Sequence, residues 1–260
     1  MIDTHAHLDF NQFDADRDAV IDIAHNEGVE IIINIGTDFV SSQKSIVLAE
    51  KYPGVYATVG VHPHDAKTWN SHTDSARLEQ LAAHPRVVAI GEIGLDFYRN
   101  YSPQEDQRRA FADQIAVARN MQLPIVVHNR DAFADVFLML LHHGAHDVGG
   151  VMHCFAGTVD QGWQTVDYGF LISVGGRLTY KNSDDPAVAE ALPLDKILLE
   201  TDCPFLTPMP FRGKRNHPAL IKHVRAKLAK IKQVSEDEID GVTTAAARKV
   251  FRLDEKTRDR

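Results

Sequence analysis

The chain has few cysteines and no long apolar runs. Only two of its 260 residues are cysteine, at positions 154 and 203, which excludes a disulfide framework and a four-cysteine zinc site. No apolar stretch approaches the roughly 20 residues that a membrane-spanning helix needs. No basic or apolar leader precedes the first predicted strand, which begins at Ile2. We therefore expect a cytoplasmic monomer with two free thiols and no membrane partner.

Positive charge is scarce over most of the chain. The formal net charge is -8, which would oppose a polyanionic substrate if the charges were evenly spread. The charges are not evenly spread, because the segment from Arg212 to Lys232 is rich in basic residues and has no acidic residue. We expect its later lysines to lie on a solvated helix face. The loop residues Arg212, Lys214 and Arg215 are better candidates for binding phosphate groups.

Strand-like and helix-like segments alternate eight times along the chain. The predicted strands run from Ile2 to His5, Glu30 to Gly36, Tyr56 to Val61, Val87 to Glu92, Pro124 to His128, Gly150 to His153, Phe170 to Val174 and Ile197 to Asp202. The predicted helices run from Asp14 to Glu27, Ser41 to Lys51, Ser75 to His84, Pro103 to Met121, Ala132 to His143, Val159 to Tyr168, Pro186 to Leu192 and Pro218 to Lys232. This alternation and the length predict an α/β fold: a TIM (β/α)8 barrel, forming a single domain over residues 1–260. We expect one or two short C-terminal helices, from Ser235 to Arg260, to close it.

Metal-ligating residue types stand at the ends of five predicted strands. The first strand carries two histidines spaced two apart, so both imidazoles project from one face. Periodicity alone leaves an open doubly wound sheet as an alternative, but there these strand ends would lie far apart. In a closed barrel they converge on the C-terminal mouth. The candidate ligands are His5, His7, Glu92, His128, His153 and Asp202.

Six imidazole and carboxylate ligands are too many for one tetrahedral ion. We therefore expect two divalent metal ions, with Mg, Mn, Zn, Fe and Ni all compatible with these donors. Glu92 is predicted to bridge them, with the other ligands divided between the ions: His5, His7 and Asp202 on one, His128 and His153 on the other. Such a pair generates a metal-activated water at neutral pH. Asp202, expected to touch one ion, is the predicted general base.

Several motifs together resemble the TatD family of metal-dependent deoxyribonucleases. They include IDTHAHLDF, AIGEIGLDFYR, VHNRDA, HCFAG and ETDCPFLTPMPFRGKRNHP, and they run in order from Ile2 to about Pro218. The resemblance implies a TIM barrel of the metallo-dependent hydrolase superfamily with a divalent metal site at its mouth. It also implies hydrolysis of DNA phosphodiesters, in some members as a 3′ to 5′ exonuclease. The family's metal ligands map onto the same six residues that the strand ends indicate.

Two further carboxylates are predicted to support the metal ligands. Asp3 and Glu200 each stand two positions before a proposed ligand and therefore face the barrel interior. A buried carboxylate is costly unless it is paired or hydrogen-bonded. We expect both to orient His5 or His7.

Two more residues near the mouth are candidate substrate contacts. Arg130 shares the inward face with the strand-five ligand and could clamp a phosphate, although an internal ion pair with Asp96 or Glu92 is an equal alternative. His62 ends the third predicted strand and is expected to contact substrate. His64 is expected to be solvated.

Two classes of function stay open from the sequence. A DNA phosphodiesterase is favoured by the basic loop that begins at Arg212. A small-molecule amidohydrolase or deaminase using the same barrel mouth is favoured by the acidic balance of the preceding chain. Relatives of the adenosine-deaminase type share the N-terminal H-x-H and a strand-eight Asp, so those two features do not separate the classes.

Overall fold

The computed structural model describes residues 1–256 and contains an eight-stranded parallel sheet in sequential order. The strands are β1 (Ile2–Ala6), β2 (Ile31–Asn34), β3 (Val55–Val59), β4 (Val87–Asp96), β5 (Ile125–Arg130), β6 (Gly150–Met152), β7 (Phe170–Val174) and β8 (Ile197–Leu199). A parallel bridge between Ala6 and Cys203 joins the first and last strands. The His7 amide donates to the Cys203 carbonyl at 2.8 Å across the same junction. The predicted TIM barrel is confirmed, and the open-sheet alternative is wrong.

Helices follow the strands and surround the barrel. They are α1 (Arg17–Asn26), α2 (Phe39–Lys51), α3 (Asp74–Ala82), α4 (Gln104–Met121), α5 (Phe133–His142), α6 (Val159–Asp167), α7 (Asp185–Ala191), α8 (Ile221–Lys232), α9 (Glu236–Val250) and α10 (Leu253–Lys256). Short 3-10 helices include Pro63–Thr68 and Gly176–Thr179, which lie in the loops after β3 and β7. Within residues 1–256, no helix is long and apolar enough to cross a membrane.

The predicted C-terminal helices correspond to α9 and α10. Ser235 caps α9 by accepting a hydrogen bond from the Glu238 amide, as expected for serine at this position. The last four residues, 257–260, lie outside the described part of the chain. A single domain over the whole of residues 1–260 stays a prediction for that reason.

Capping residues fix where two helices, α2 and α6, begin after the strands that precede them. Thr158 begins α6 with a capping box, in which its hydroxyl accepts from the Gln161 amide and the Gln161 side chain accepts from the Thr158 amide. Asp38 caps α2 through the Ser41 amide. These caps satisfy donors that would otherwise be unpaired and so define where each loop after a strand ends.

The strands are buried on both faces, as expected for a parallel sheet covered by helices. One apolar cluster packs the outer face of the barrel against the helices. A second cluster contains strand residues that lie two positions before a candidate ligand and therefore share its face of the strand. Val126 precedes His128 in this way, and Val151 precedes His153. The same cluster includes Phe251, just beyond α9. The apolar interior therefore lies beneath the polar mouth, on the same faces of the strands.

The fourth strand is longer than predicted, and the eighth is shorter. β4 continues to Asp96 because its pairing with β5 extends through Gly94 opposite His128. A Cβ at Gly94, whose φ is +141°, would lie 2.0 Å from the His128 carbonyl oxygen, so only glycine allows this approach. β8 ends at Leu199, and Asp202 follows it in the left-handed region with a φ of 54°.

Candidate metal centre

The six predicted ligands converge at the C-terminal end of the barrel. His5 and His7 project from one face at the end of β1, with their Nε2 atoms 3.2 Å apart. The His5 ring stacks on that of His153, with centroids 3.8 Å apart. Residues that are 148 positions apart in the chain therefore share one buried site, as barrel closure requires.

Glu92 lies at the centre of this group and is 3% exposed. Its Oε1 is 2.7 Å from Nδ1 of His128, 2.8 Å from Nε2 of His153 and 3.4 Å from Nε2 of His62. Its Oε2 is 3.4 Å from Nε2 of His5. Burial raises the pKa of the Glu92 carboxyl, but His153, His62 and His128 hold it well below its usual value. The two oxygens thus face two different sets of imidazoles.

Asp202 lies beside the β1 histidines. Its Oδ1 is 3.4 Å from Nε2 of His7 and 3.8 Å from Nε2 of His5. Burial raises the pKa of the Asp202 carboxyl, but the hydrogen bond to His7 and the nearby imidazoles bring it below its usual value. An ionised carboxylate at neutral pH is the consequence.

His62 belongs to this cluster instead of lying at its edge. It follows β3 and caps the 3-10 helix Pro63–Thr68 with Nδ1, which accepts from the His64 amide. Burial and the charge of His128 lower the pKa of His62 to about 4. Together with Glu92 and His128 it forms a third set of potential ligand atoms that lie within 4.8 Å of one another. Sequence reasoning gave it only a substrate role.

Asp96 is a site residue that sequence reasoning considered only as a partner for Arg130. Its Oδ2 is 3.1 Å from Nε2 of His128 and 2.9 Å from Nε2 of His64. Its Oδ1 accepts from the Tyr98 and Arg99 amides. His64, expected to be solvated, is half-buried and contacts Asp96. The signal in the sequence was the position of Asp96, four residues after Glu92, but only the extended β4 places it beside His128.

Asp3 and Glu200 face inward, yet neither contacts the imidazole rings of His5 and His7. Asp3 accepts from the amide and hydroxyl of Thr201 at 2.9 and 2.6 Å, and from the His5 amide at 3.3 Å. Burial outweighs these bonds and raises the pKa of Asp3 to about 7. This carboxyl joins the ends of β1 and β8, and it touches His5 only through the backbone.

Glu200 instead faces the strand-six histidine. Its Oε1 is 3.7 Å from Nδ1 of His153, while its Oε2 accepts a short hydrogen bond from Ser173. Burial lowers the pKa of His153, but the carboxylates of Glu92 and Glu200 hold it well above its usual value. The prediction of a supporting carboxylate was right in kind and wrong about which histidine it contacts.

Arg130 is exposed at the end of β5, and its guanidinium lies 4.1 Å from the centroid of the Tyr98 ring. Within the described residues it forms no ion pair with Asp96 or Glu92. The internal ion pair is therefore wrong, because the exposed guanidinium stacks on an exposed tyrosine instead. Its guanidinium donors stay available to a ligand.

The basic loop after β8 divides into two parts. Arg215 pairs with Asp16 through Nη1 at 2.9 Å and Nη2 at 2.6 Å, and it also donates to the Gln12 carbonyl. It therefore fastens this loop to the segment before α1 with three of its five N–H donors, which disfavours its predicted phosphate role. Arg212 stacks over Tyr180 at 4.5 Å, and Lys214 lies 5.6 Å from the centroid of Phe211. Neither has a carboxylate partner within the described residues.

The arrangement of donors fits divalent metal ions. Three overlapping sets of ligand atoms each lie within 4.8 Å: His5 with His153 and Asp202, His5 with His7 and Glu92, and His62 with Glu92 and His128. Nδ1 atoms of His5, His7 and His153 are buried without a hydrogen-bond partner. In the described structure, no lysine or arginine lies among these converging imidazoles and carboxylates. The cost of burying the carboxylates is therefore not offset by a cationic side chain. Mixed nitrogen and oxygen donors suit borderline and hard divalent ions.

The chain matches known proteins along nearly its whole length. The model of a family described as TatD related DNase matches residues 2–252. An uncharacterized metal-dependent hydrolase, YabD of Bacillus subtilis, is 43% identical over 254 residues, covering 97% of this chain and 99% of that protein. The 3′-5′ ssDNA/RNA exonuclease TatD of Musicola paradisiaca is 39% identical over 266 residues, covering 98% and 99%.

The fold comparison agrees with the sequence comparison. The crystal structure of YJJV, a TatD homolog from Escherichia coli K12, superposes with a TM-score of 0.90 and 32% sequence identity. The match covers 97% of this chain and 98% of that one.

Proposed function

This chain belongs to the TatD family of metal-dependent hydrolases, and we propose that it hydrolyses DNA phosphodiester bonds at the mouth of its barrel. The observation that carries the proposal is the position of Glu92, whose two oxygens face separate sets of imidazoles. One relative, TatD of Musicola paradisiaca, is named as a 3′-5′ exonuclease of single-stranded DNA and RNA. That favours a nuclease over a small-molecule amidohydrolase.

Two divalent ions would be held by the residues that the strand ends bring together. We assign Glu92 to both ions and keep the division predicted from the sequence: His5, His7 and Asp202 for one ion, His128 and His153 for the other. When bound, such ions polarise a phosphodiester oxygen and lower the pKa of a coordinated water. Mg, Mn, Zn, Fe and Ni all suit this donor set.

Asp202 is the proposed general base. Its Oδ1 faces the β1 histidines, whereas the two oxygens of Glu92 are both occupied by imidazoles. The second oxygen of Asp202 is therefore the carboxylate atom with capacity to accept a proton from the attacking water. Its lowered pKa keeps the group ionised at neutral pH.

The substrate contacts are proposed from position and free donors. Arg130 lies beside the metal centre with its guanidinium donors unpaired by carboxylates in the described structure. His62 lies 3.4 Å from Glu92 and would meet a phosphate bound at the metal ions beside it. Arg212 and Lys214 would contact phosphates farther along the strand. Arg215 instead anchors the loop, because it pairs with Asp16 through both Nη atoms.

The test uses metal-loaded protein and DNA labelled at either end, both single-stranded and duplex. A 3′ to 5′ exonuclease shortens 5′-labelled DNA through a ladder of products and releases labelled mononucleotide at once from 3′-labelled DNA. A chelator should abolish both reactions. The proposal fails if no metal supports cleavage of any DNA, and deamination of adenosine or cytosine by the same preparation would establish the alternative.

A further inference from the structure

A cleft of about 680 Å³ opens beside the metal centre, between the loops that follow β5, β6, β7 and β8. Its inner end is formed by three proposed ligands, namely His128, His153 and Asp202. Its walls carry two arginines, Arg130 and Arg177. The cleft is therefore continuous with the site of the proposed reaction, and two guanidinium groups line it together with the proposed ligands.

Arg177 is oriented by a buried partner. It lies in the 3-10 helix Gly176–Thr179, and its Nη2 is 3.0 Å from Oδ1 of Asp185, which is 5% exposed. Asp185 is the one carboxylate that pairs with it in the described structure. A guanidinium has five N–H donors in a rigid plane, so this single bond fixes its direction while other donors stay available.

Arg130 is oriented differently, by stacking on the ring of Tyr98 at 4.1 Å. No carboxylate neutralises it within residues 1–254, for which side chains are described. Asp131 lines the same cleft, as does Asp202, so the cleft is not simply a region of excess positive charge. Recognition there would depend on directed hydrogen bonds from the two guanidinium groups, which match phosphate oxygens well.

We infer that this cleft binds the backbone phosphate next to the scissile one, with Arg177, held by Asp185, as the main donor and Arg130 as the second. The inference rests on the proposed function, because the scissile phosphate would bind at the metal ions that Glu92 holds and its neighbour would then lie to one side. The substrate would then be a strand with at least two consecutive phosphates, one at the metal centre and one in the cleft. Arg177 would determine specificity for the second phosphate.

A purely structural role for Arg177 would be to fasten the loop after β7 to the start of α7, where Asp185 is the first residue. That role predicts lower thermal stability on substitution and a uniform loss of affinity for every DNA. A phosphate contact predicts something different: the loss depends on the charge at one particular phosphate. Position-specific neutralisation of the substrate therefore separates the two roles.

The experiment measures fluorescence anisotropy of single-stranded oligonucleotides with metal-loaded protein that carries Asp202→Asn in every variant, so that hydrolysis competes little with binding. Each oligonucleotide carries one uncharged methylphosphonate, moved along the strand from its 3′ end. With Arg177 intact, we expect one position beside the terminal linkage to weaken binding on the order of tenfold, as for loss of a charge-assisted hydrogen bond. In Arg177→Gln, unmodified DNA binds more weakly and that position-specific penalty disappears.

Arg119→Gln is the matched control, because Arg119 pairs with Asp147 near the opposite end of the barrel. It should retain the position-specific penalty. If Arg177→Gln does not fold, Arg130→Gln tests the same cleft without breaking an ion pair. A penalty that persists in both variants overturns the inference, even when DNA is still cleaved. Absence of cleavage by the metal-loaded wild-type protein would instead overturn the proposed function.

Discussion

Oδ2 of Asp96 lies 3.1 Å from Nε2 of His128, whose other ring nitrogen, Nδ1, lies 2.7 Å from Glu92. The imidazole is thus held between two carboxylates, with Nδ1 directed to the metal centre and Nε2 directed away from it. An acceptor on the outer nitrogen fixes both the tautomer and the ring orientation of a metal-binding histidine. The second histidine on Asp96, His64, anchors this carboxylate to the loop after β3.

The substitution Asp96→Asn should weaken metal binding without removing a proposed ligand. We expect the affinity for one of two ions to fall about 10- to 100-fold, because His128 loses its negatively charged acceptor. Isothermal titration calorimetry with manganese checks this. Asp135→Asn, which disrupts an ion pair with Arg108 outside the centre, is the control. Unchanged affinity at both sites would show that His128 is oriented without Asp96.

The metal content should be two ions per chain after reconstitution. Glu92→Gln removes one negative charge from the position shared by both sets of imidazoles, so both affinities should fall together. Elemental analysis, combined with calorimetry at excess metal, measures the stoichiometry. Saturation of the wild-type protein at a single ion would refute the bridging role of Glu92.

Asp202→Asn should separate catalysis from metal binding. Asparagine keeps a ligand oxygen but cannot accept a proton, so kcat should fall on the order of 100-fold or more while metal content changes little. His153→Ala should instead lose metal, with partial rescue by excess manganese. Initial rates at saturating metal and DNA provide the comparison. Near-normal kcat in Asp202→Asn would assign proton removal to another group.

The basic loop should respond unequally to substitution. Arg215→Ala breaks the ion pair with Asp16 and should lower Tm by a few degrees while leaving DNA affinity unchanged. Arg212→Ala and Lys214→Ala should leave Tm unchanged, weaken DNA binding, and each reduce the slope of log K against log salt by about 1. Thermal denaturation and salt-dependent anisotropy measure the two effects. A reduced salt slope in Arg215→Ala would restore its role in phosphate binding.

The sequence by itself determined the barrel and its proposed ligands. Eight apolar runs alternating with helical periodicity require a parallel sheet covered by helices, and that pattern is local. The spacing of His5 and His7 and the position of Asp202 after the last strand follow from the same alternation. Parallel strands that close into a barrel bring their carboxyl ends together, so the convergence of these residues was predictable.

Only the tertiary structure decided which neighbours those residues have. Asp96 reaches His128 because β4 continues beside β5 as far as Asp96, and that extension depends on the close approach permitted at Gly94. Arg215 is neutralised by a residue 199 positions earlier in the chain. Side-chain partners of this kind are set by loop paths and packing across the barrel mouth, for which periodicity and residue type carry no information.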